Sequence, residues 1–212
     1  MAELCVYALA SRLSGALNVS GIAGEPLQAI HVGRLDAIVG RVRTTPKPTD
    51  RNLRRYGEMM SVLWRRTPAL LPARFGTSAR DVEDLRAMVR ARERVIRRRL
   101  RAVRHRAQMT IRLVTPQSDP PPAIERSSGT SYLRSRQREQ AVPAFTPLRA
   151  AVRRWIREER VEKRPGVASI YHLVPRGSVE RYRSALVRAA QEAGVRMIAS
   201  GPFPPYAFAD AW

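Results

Sequence analysis

The chain has 212 residues, 44% of them hydrophobic and 27% charged, a balance that supports one large or two small folded domains and excludes wholesale disorder. Its 39 basic side chains outnumber 18 acidic ones for a net charge of +21, and all of the basic set except Lys47 and Lys163 are Arg. One cysteine, Cys5, excludes a disulfide framework or a Cys-based zinc site, His31, His105 and His172 are too scattered for a ligand set, and no apolar run approaches the ~20 residues of a membrane span. A soluble, cytoplasmic protein without metal or cofactor is the expectation.

The run at 4–10 is short, apolar and rich in β-formers, the pattern of a buried strand. Residues 14–24 are small and polar and read as a loop. Strands follow at 27–32 and 35–42, joined by Gly33-Arg34 at two-residue hairpin spacing, where glycine supplies the positive φ that such turns need. Pro46 and Pro48 mark a linker. Leu53, Tyr56, Met60, Leu63 and Trp64 then recur at helical spacing over 52–66. Pro68 ends that helix, and 69–73 reads as another short strand. Thr77 or Ser78 is placed to cap a long helix that runs to about Arg106. Asp81, Glu83 and Asp84 in its first turns and Arg through its C-terminal half both suit the helix dipole.

A strand at 109–114 leads to a loop at 116–128, which contains three consecutive prolines, Pro120 to Pro122, and cannot be helical. Helices are expected at 132–142 and 148–162, interrupted by Pro143 and Pro147. A strand at 167–174, a helix at 179–193 closed by Gly194 and a strand at 195–200 complete the second half, before a proline-stiffened tail. Strands separated by helices in both halves place the chain in the α+β or α/β class, as two small domains with a boundary near 106–109.

Catalytic signatures are missing. There is no P-loop, dinucleotide fingerprint, His-Glu-x-x-His helix or Gly-x-Ser-x-Gly elbow. His172, mid-strand, reads as a satisfied sheet position, and Glu158-Glu159 as a solvated helix face. No catalytic, cofactor-binding or metal residue is therefore assigned, and an enzyme is not expected. The helix from Ser78 to Arg106 carries eleven Arg against four acids. Arg97, Arg98, Arg101 and Arg104 form its candidate partner-binding face. Phosphate contacts suit such a surface, but it lacks interleaved aromatics for base stacking. A solvated face or an acidic protein partner outweighs nucleic acid, which stays as the alternative.

Three segments carry more information than composition. They are Leu71-Pro72-Ala73-Arg74-Phe75-Gly76-Thr77, Ser128-Gly129-Thr130-Ser131-Tyr132-Leu133-Arg134-Ser135-Arg136, and Ser200-Gly201-Pro202-Phe203-Pro204-Pro205-Tyr206-Ala207-Phe208-Ala209. Their order and spacing, with the Cys5 to Leu9 and Leu35 to Val39 strands, resemble the gas vesicle GvpF/GvpL family over essentially the whole chain. The resemblance implies a ferredoxin-like N-terminal domain (1–107) and an α+β sandwich as C-terminal domain (108–212). It also implies a minor structural component or assembly factor at the gas vesicle that binds the small, hydrophobic major shell protein, and other accessory proteins beside it. The departures are the +21 charge, where family members are commonly acidic or near neutral, and the helix broken at Pro143 and Pro147.

Physically the motifs read as structure. Pro72 suits a strand end, Phe75 a plug between strand and helix, Gly76 a turn, and Arg74 a pairing with a carboxylate or a partner. The tail exposes or docks Phe203, Tyr206 and Phe208 on a chain pre-ordered by Pro202, Pro204 and Pro205 beside Gly201, at little entropic cost, and core docking outweighs a partner-binding patch.

Overall fold

The computed structural model describes residues 2–11, 13, 17–114 and 142–210. The chain is α+β and divides into two compact units, one formed by 1–107 with 203–212 and the other by 108–202.

The first unit opens on three antiparallel strands. β1 (Glu3–Ser11) is apolar enough to be buried along almost its whole length, and it lies between β3 (Leu35–Val42) and β4 (Leu70–Pro72). β2 (Leu27–Val32) forms the hairpin with β3 through Gly33, whose φ of +61° meets the turn's requirement. A short β5 (Ser78–Ala79) pairs with β1 beyond β4, so two brief strands share one edge of β1. The β1–β3 register shifts between Val6 and Ala8, leaving Tyr7 as the bulged residue.

Helix α1 (Asp50–Arg66) starts where Thr49 accepts a hydrogen bond from the Asn52 amide, and it buries Tyr56, Met59, Met60, Leu63 and Trp64. Leu53, placed on that stripe from sequence, is 45% exposed instead. The expected long basic helix is two helices, α2 (Val82–Ala91) and α3 (Glu93–Val103), parted at Arg92 (φ −122°, ψ 11°). Asp81, rather than Thr77 or Ser78, caps α2 by accepting from the Asp84 amide. Thr77 is held in the loop before it, and Ser78 belongs to β5. Helical character stops at Val103. Arg104 is the C-cap, His105 takes a left-handed φ of +54°, and Arg106 already begins β6 (Arg106–Val114). The His105 amide donates to the Pro68 carbonyl and fixes that reversal. Leu4, Leu9, Ile38, Met60, Leu63, Leu85 and Ile96 are among the fully buried side chains of this unit's core.

In the second unit the order is β6, α4 (Thr146–Val152), β7 (Glu158–Arg164), β8 (Val167–Pro175), α5 (Val179–Glu192) and β9 (Met197–Phe203). The sheet order is β7-β8-β6-β9. This β-α-β-β-α-β order is that of a ferredoxin-like fold. The helix expected over 148–162 is short: after Val152 one 3-10 turn (Arg153–Trp155) leads into β7. Glu158 and Glu159 therefore lie on a strand, not on a solvated helix. Gly166, at φ +76°, closes the β7–β8 hairpin, and Gly194, at φ +61°, follows α5 as expected. Ile111, Leu148, Val152, Ile170, Leu173 and Leu186 are buried at the centre of this unit.

Candidate functional site

The 72–77 motif is an excursion from the edge of the first sheet. Pro72 ends β4, where no further ladder bond is required of it, and β5 resumes pairing at Ser78. Between them the Ala73 amide donates to the Tyr7 carbonyl, and the Val6 amide donates to Thr77. The intervening Arg74, Phe75 and Gly76 are thereby turned outward. Thr77 closes the turn with both its amide and its hydroxyl on the Arg74 carbonyl, at 3.0 and 2.7 Å. Gly76 sits at φ +83°, a conformation that a side chain would strain. Arg74 is exposed. Phe75 is half-buried rather than a core plug, and packs edge-on against Tyr56 with ring centroids 5.6 Å apart.

The tail returns to the same place. Gly201 and Pro202 end the second unit within β9, and Pro204 and Pro205 are buried against the first. The Tyr206 and Phe208 amides donate to the carbonyls of Pro204 and Pro205, forming a 3-10 turn over β4. Phe208 is fully buried, whereas Tyr206 is 37% exposed and lies 6.4 Å from the Tyr56 ring. Two distant motifs thus converge on Tyr56, which sequence reading took only as part of an apolar stripe. Its hydroxyl donates to the Ala73 carbonyl at 2.6 Å, pinning helix α1 to the root of the excursion. Burial raises the Tyr56 hydroxyl above the titration range of a free phenol, so it stays a donor. The result is an aromatic cluster with an inner face fixed by Tyr7 and Tyr56 and an outer face formed by Phe75 and Tyr206.

The candidate basic face divides on inspection. Arg97 lies 3.6 Å from Glu93, Arg99 contacts Asp210 at 3.1 Å, and Arg104 is off the helix at its cap. Arg98 and Arg101 are exposed, and with Arg94 they form a row on the side of α3 opposite its buried Ile96, Leu100 and Val103.

The second unit holds a polar cluster that sequence reading missed. Glu159 and His172 face each other across the β7–β8 ladder. His172 Nε2 lies 2.8 Å from Glu159 Oε2, and Nδ1 lies 2.7 Å from the Tyr182 hydroxyl. Arg149 reaches the other Glu159 oxygen at 3.0 Å. A neutral imidazole satisfies every partner: Tyr182 donates to Nδ1, and Nε2–H donates to the carboxylate. Burial pushes His172 below its ordinary value of 6.5, against the opposing pull of Glu159. At Glu159 burial works against ionisation, yet the His172 hydrogen bond and the Arg149 guanidinium hold the carboxyl below 4.5. The order Tyr-His-Glu has the form of a nucleophilic relay, but His172 and Tyr182 are both 0% exposed, so no substrate atom reaches the hydroxyl. The cluster is a structural lock.

Tyr132 lies outside the described residues. Among those residues no group of three His, Cys, Asp or Glu side chains is placed to hold a metal, and no helix is long and apolar enough to cross a membrane.

No curated protein sequence matches the chain. Solved structures share its fold, two of them gas vesicle proteins. The gas vesicle protein GvpF from Anabaena sp. PCC7120 superposes with a TM-score of 0.79 at 12% identity, covering 99% of this chain and 97% of that one. GvpF from Microcystis aeruginosa gives 0.78 at 14% identity, covering 99% and 100%. The family model described as gas vesicle synthesis protein GvpL/GvpF matches residues 4–210, and the chain belongs to that family.

Proposed function

We propose that the protein is a non-enzymatic accessory factor of the gas vesicle, acting in the cytoplasm, that binds the small hydrophobic major shell protein and assists its assembly. Besides the family, one observation supports this reading. The family-like motifs around Phe75 and Tyr206 leave both rings partly exposed while Pro204, Pro205 and Phe208 beside them in the tail are buried. A rigid, half-exposed aromatic pair offers apolar contact at low entropic cost, which suits a partner that is itself apolar and prone to aggregate. Held there, shell subunits are kept from uncontrolled association, or are presented for polymerisation, before the hollow shell grows.

Deletion of the chain from a vesicle-producing cell tests this. Loss or stunting of vesicles, restored by the wild-type chain and poorly by Phe75→Ser with Tyr206→Ser, is expected. Normal vesicles without the chain would overturn the reading.

A further inference from the structure

We infer that the outer face of α3 is a docking site for an acidic protein segment that carries an apolar side chain among its carboxylates. The inference does not rest on the shell-protein reading, because it concerns a different face and a different chemistry.

Arg94, Arg98 and Arg101 stand at i, i+4 and i+7, a row ~10 Å long at 1.5 Å per residue. Among the described residues none of the three guanidiniums has an ion pair, while their neighbours Arg97 and Arg99 each have one. Like charges one helical turn apart repel, so the row is a strained electrostatic arrangement in the free chain, relieved by carboxylates placed opposite it. Guanidinium forks take carboxylates in two-point geometry. Beside the row Val95 is 41% exposed and gives the same face an apolar point of contact. With a chain charge of +21, a second copy is repelled, and an acidic partner is drawn in.

A nucleic acid satisfies less of this face. Its phosphates would meet the guanidiniums, but it has no aliphatic side chain for Val95, and α3 contributes no aromatic ring on which a base would stack.

The test measures binding of the full chain to a labelled amphipathic peptide with Glu at i, i+4 and i+7 beside Leu, and to a single-stranded oligonucleotide of equal charge. Arg94→Gln with Arg98→Gln and Arg101→Gln is expected to weaken peptide binding about tenfold. A control of equal charge loss at exposed positions, Arg164→Gln with Arg181→Gln and Arg188→Gln, is expected to weaken it by less than about twofold, the small share left to net charge. Val95→Ser should lower the binding that survives in high salt. Arg98→Gln alone, expected to weaken binding about two- to threefold, serves if the triple variant fails to fold. Equal losses in the α3 and control variants would reduce the face to bulk charge and overturn the inference. So would no peptide binding at low salt, or an oligonucleotide that binds more tightly than the peptide and loses that binding in the α3 variant.

Discussion

The second unit seals its polar chemistry, and the first leaves its own in the open. Around His172 each hydrogen-bonding atom has a partner and the imidazole and phenol are closed to water, so the cluster's free energy goes into folding. On α3 three guanidiniums stand exposed and, among the described residues, without an ion pair, and on the Tyr56 cluster two rings are part-exposed. Titratable groups in a suggestive order are therefore a poor guide to a site when they are buried and satisfied. Unspent charge and half-exposed rings are the better one.

This contrast predicts a graded series. The largest effect belongs to His172→Ala, which leaves the Tyr182 hydroxyl and the Oε2 atom of Glu159 without their His172 partner, while Arg149 stays on Oε1. It should lower stability by about 3–4 kcal/mol in urea unfolding, and a change under ~1 kcal/mol would show that the cluster is not a lock. Phe75→Ala comes next. Because the ring is half-buried, we expect a loss of about 1–2 kcal/mol rather than that of a core phenylalanine.

Acid comes third. His172 titrates lower in the folded chain than its ordinary 6.5, so the unfolded chain takes the proton first as pH falls. The stability of the neutral imidazole is complete above pH 6.5 and is lost as pH falls through the folded value. Glu159, held below 4.5, adds a second loss of the same sign under that pH. The melting temperature should fall steadily below pH 6.5 in wild type and less in His172→Gln. A melting temperature that rises there would contradict the assignment. The smallest effect is that of neutralising Arg94, Arg98 and Arg101 together, which should leave stability within about 0.5 kcal/mol per site. A collapse in a thermal melt would place that face inside the fold.

Much of the fold is written in local pattern. The Gly33-Arg34 hairpin, the apolar run of β1, the stripe of α1 and the Gly194 stop of α5 all appear where periodicity and turn chemistry put them. β7 does not, because Glu-Glu-Arg-Val-Glu-Lys-Arg is built from good helix formers and becomes a strand only by pairing with β8. As an outer strand of its sheet it also carries the charge that guards an edge against stray pairing. Once β7 is misread as helix, the Glu159–His172 pair across the ladder is invisible. The break at Arg92 has no Gly or Pro to announce it, and the left-handed turn at His105 lies within an unbroken Arg-rich run. The meeting of Phe75 and Tyr206 on Tyr56 joins segments far apart in sequence, and no local pattern reports it.

On the proposed reading an apolar, aromatic surface engages the shell protein while the arginine row serves another partner. Co-purification with the co-expressed major shell protein, after nuclease treatment and with washes at low and then high salt, tests it most directly. Shell protein is expected to survive the high-salt wash with wild type and with the α3 triple variant, and to be lost with Phe75→Ser and Tyr206→Ser. Shell protein that leaves in salt, or that never co-purifies while nucleic acid is enriched before nuclease treatment, would contradict it.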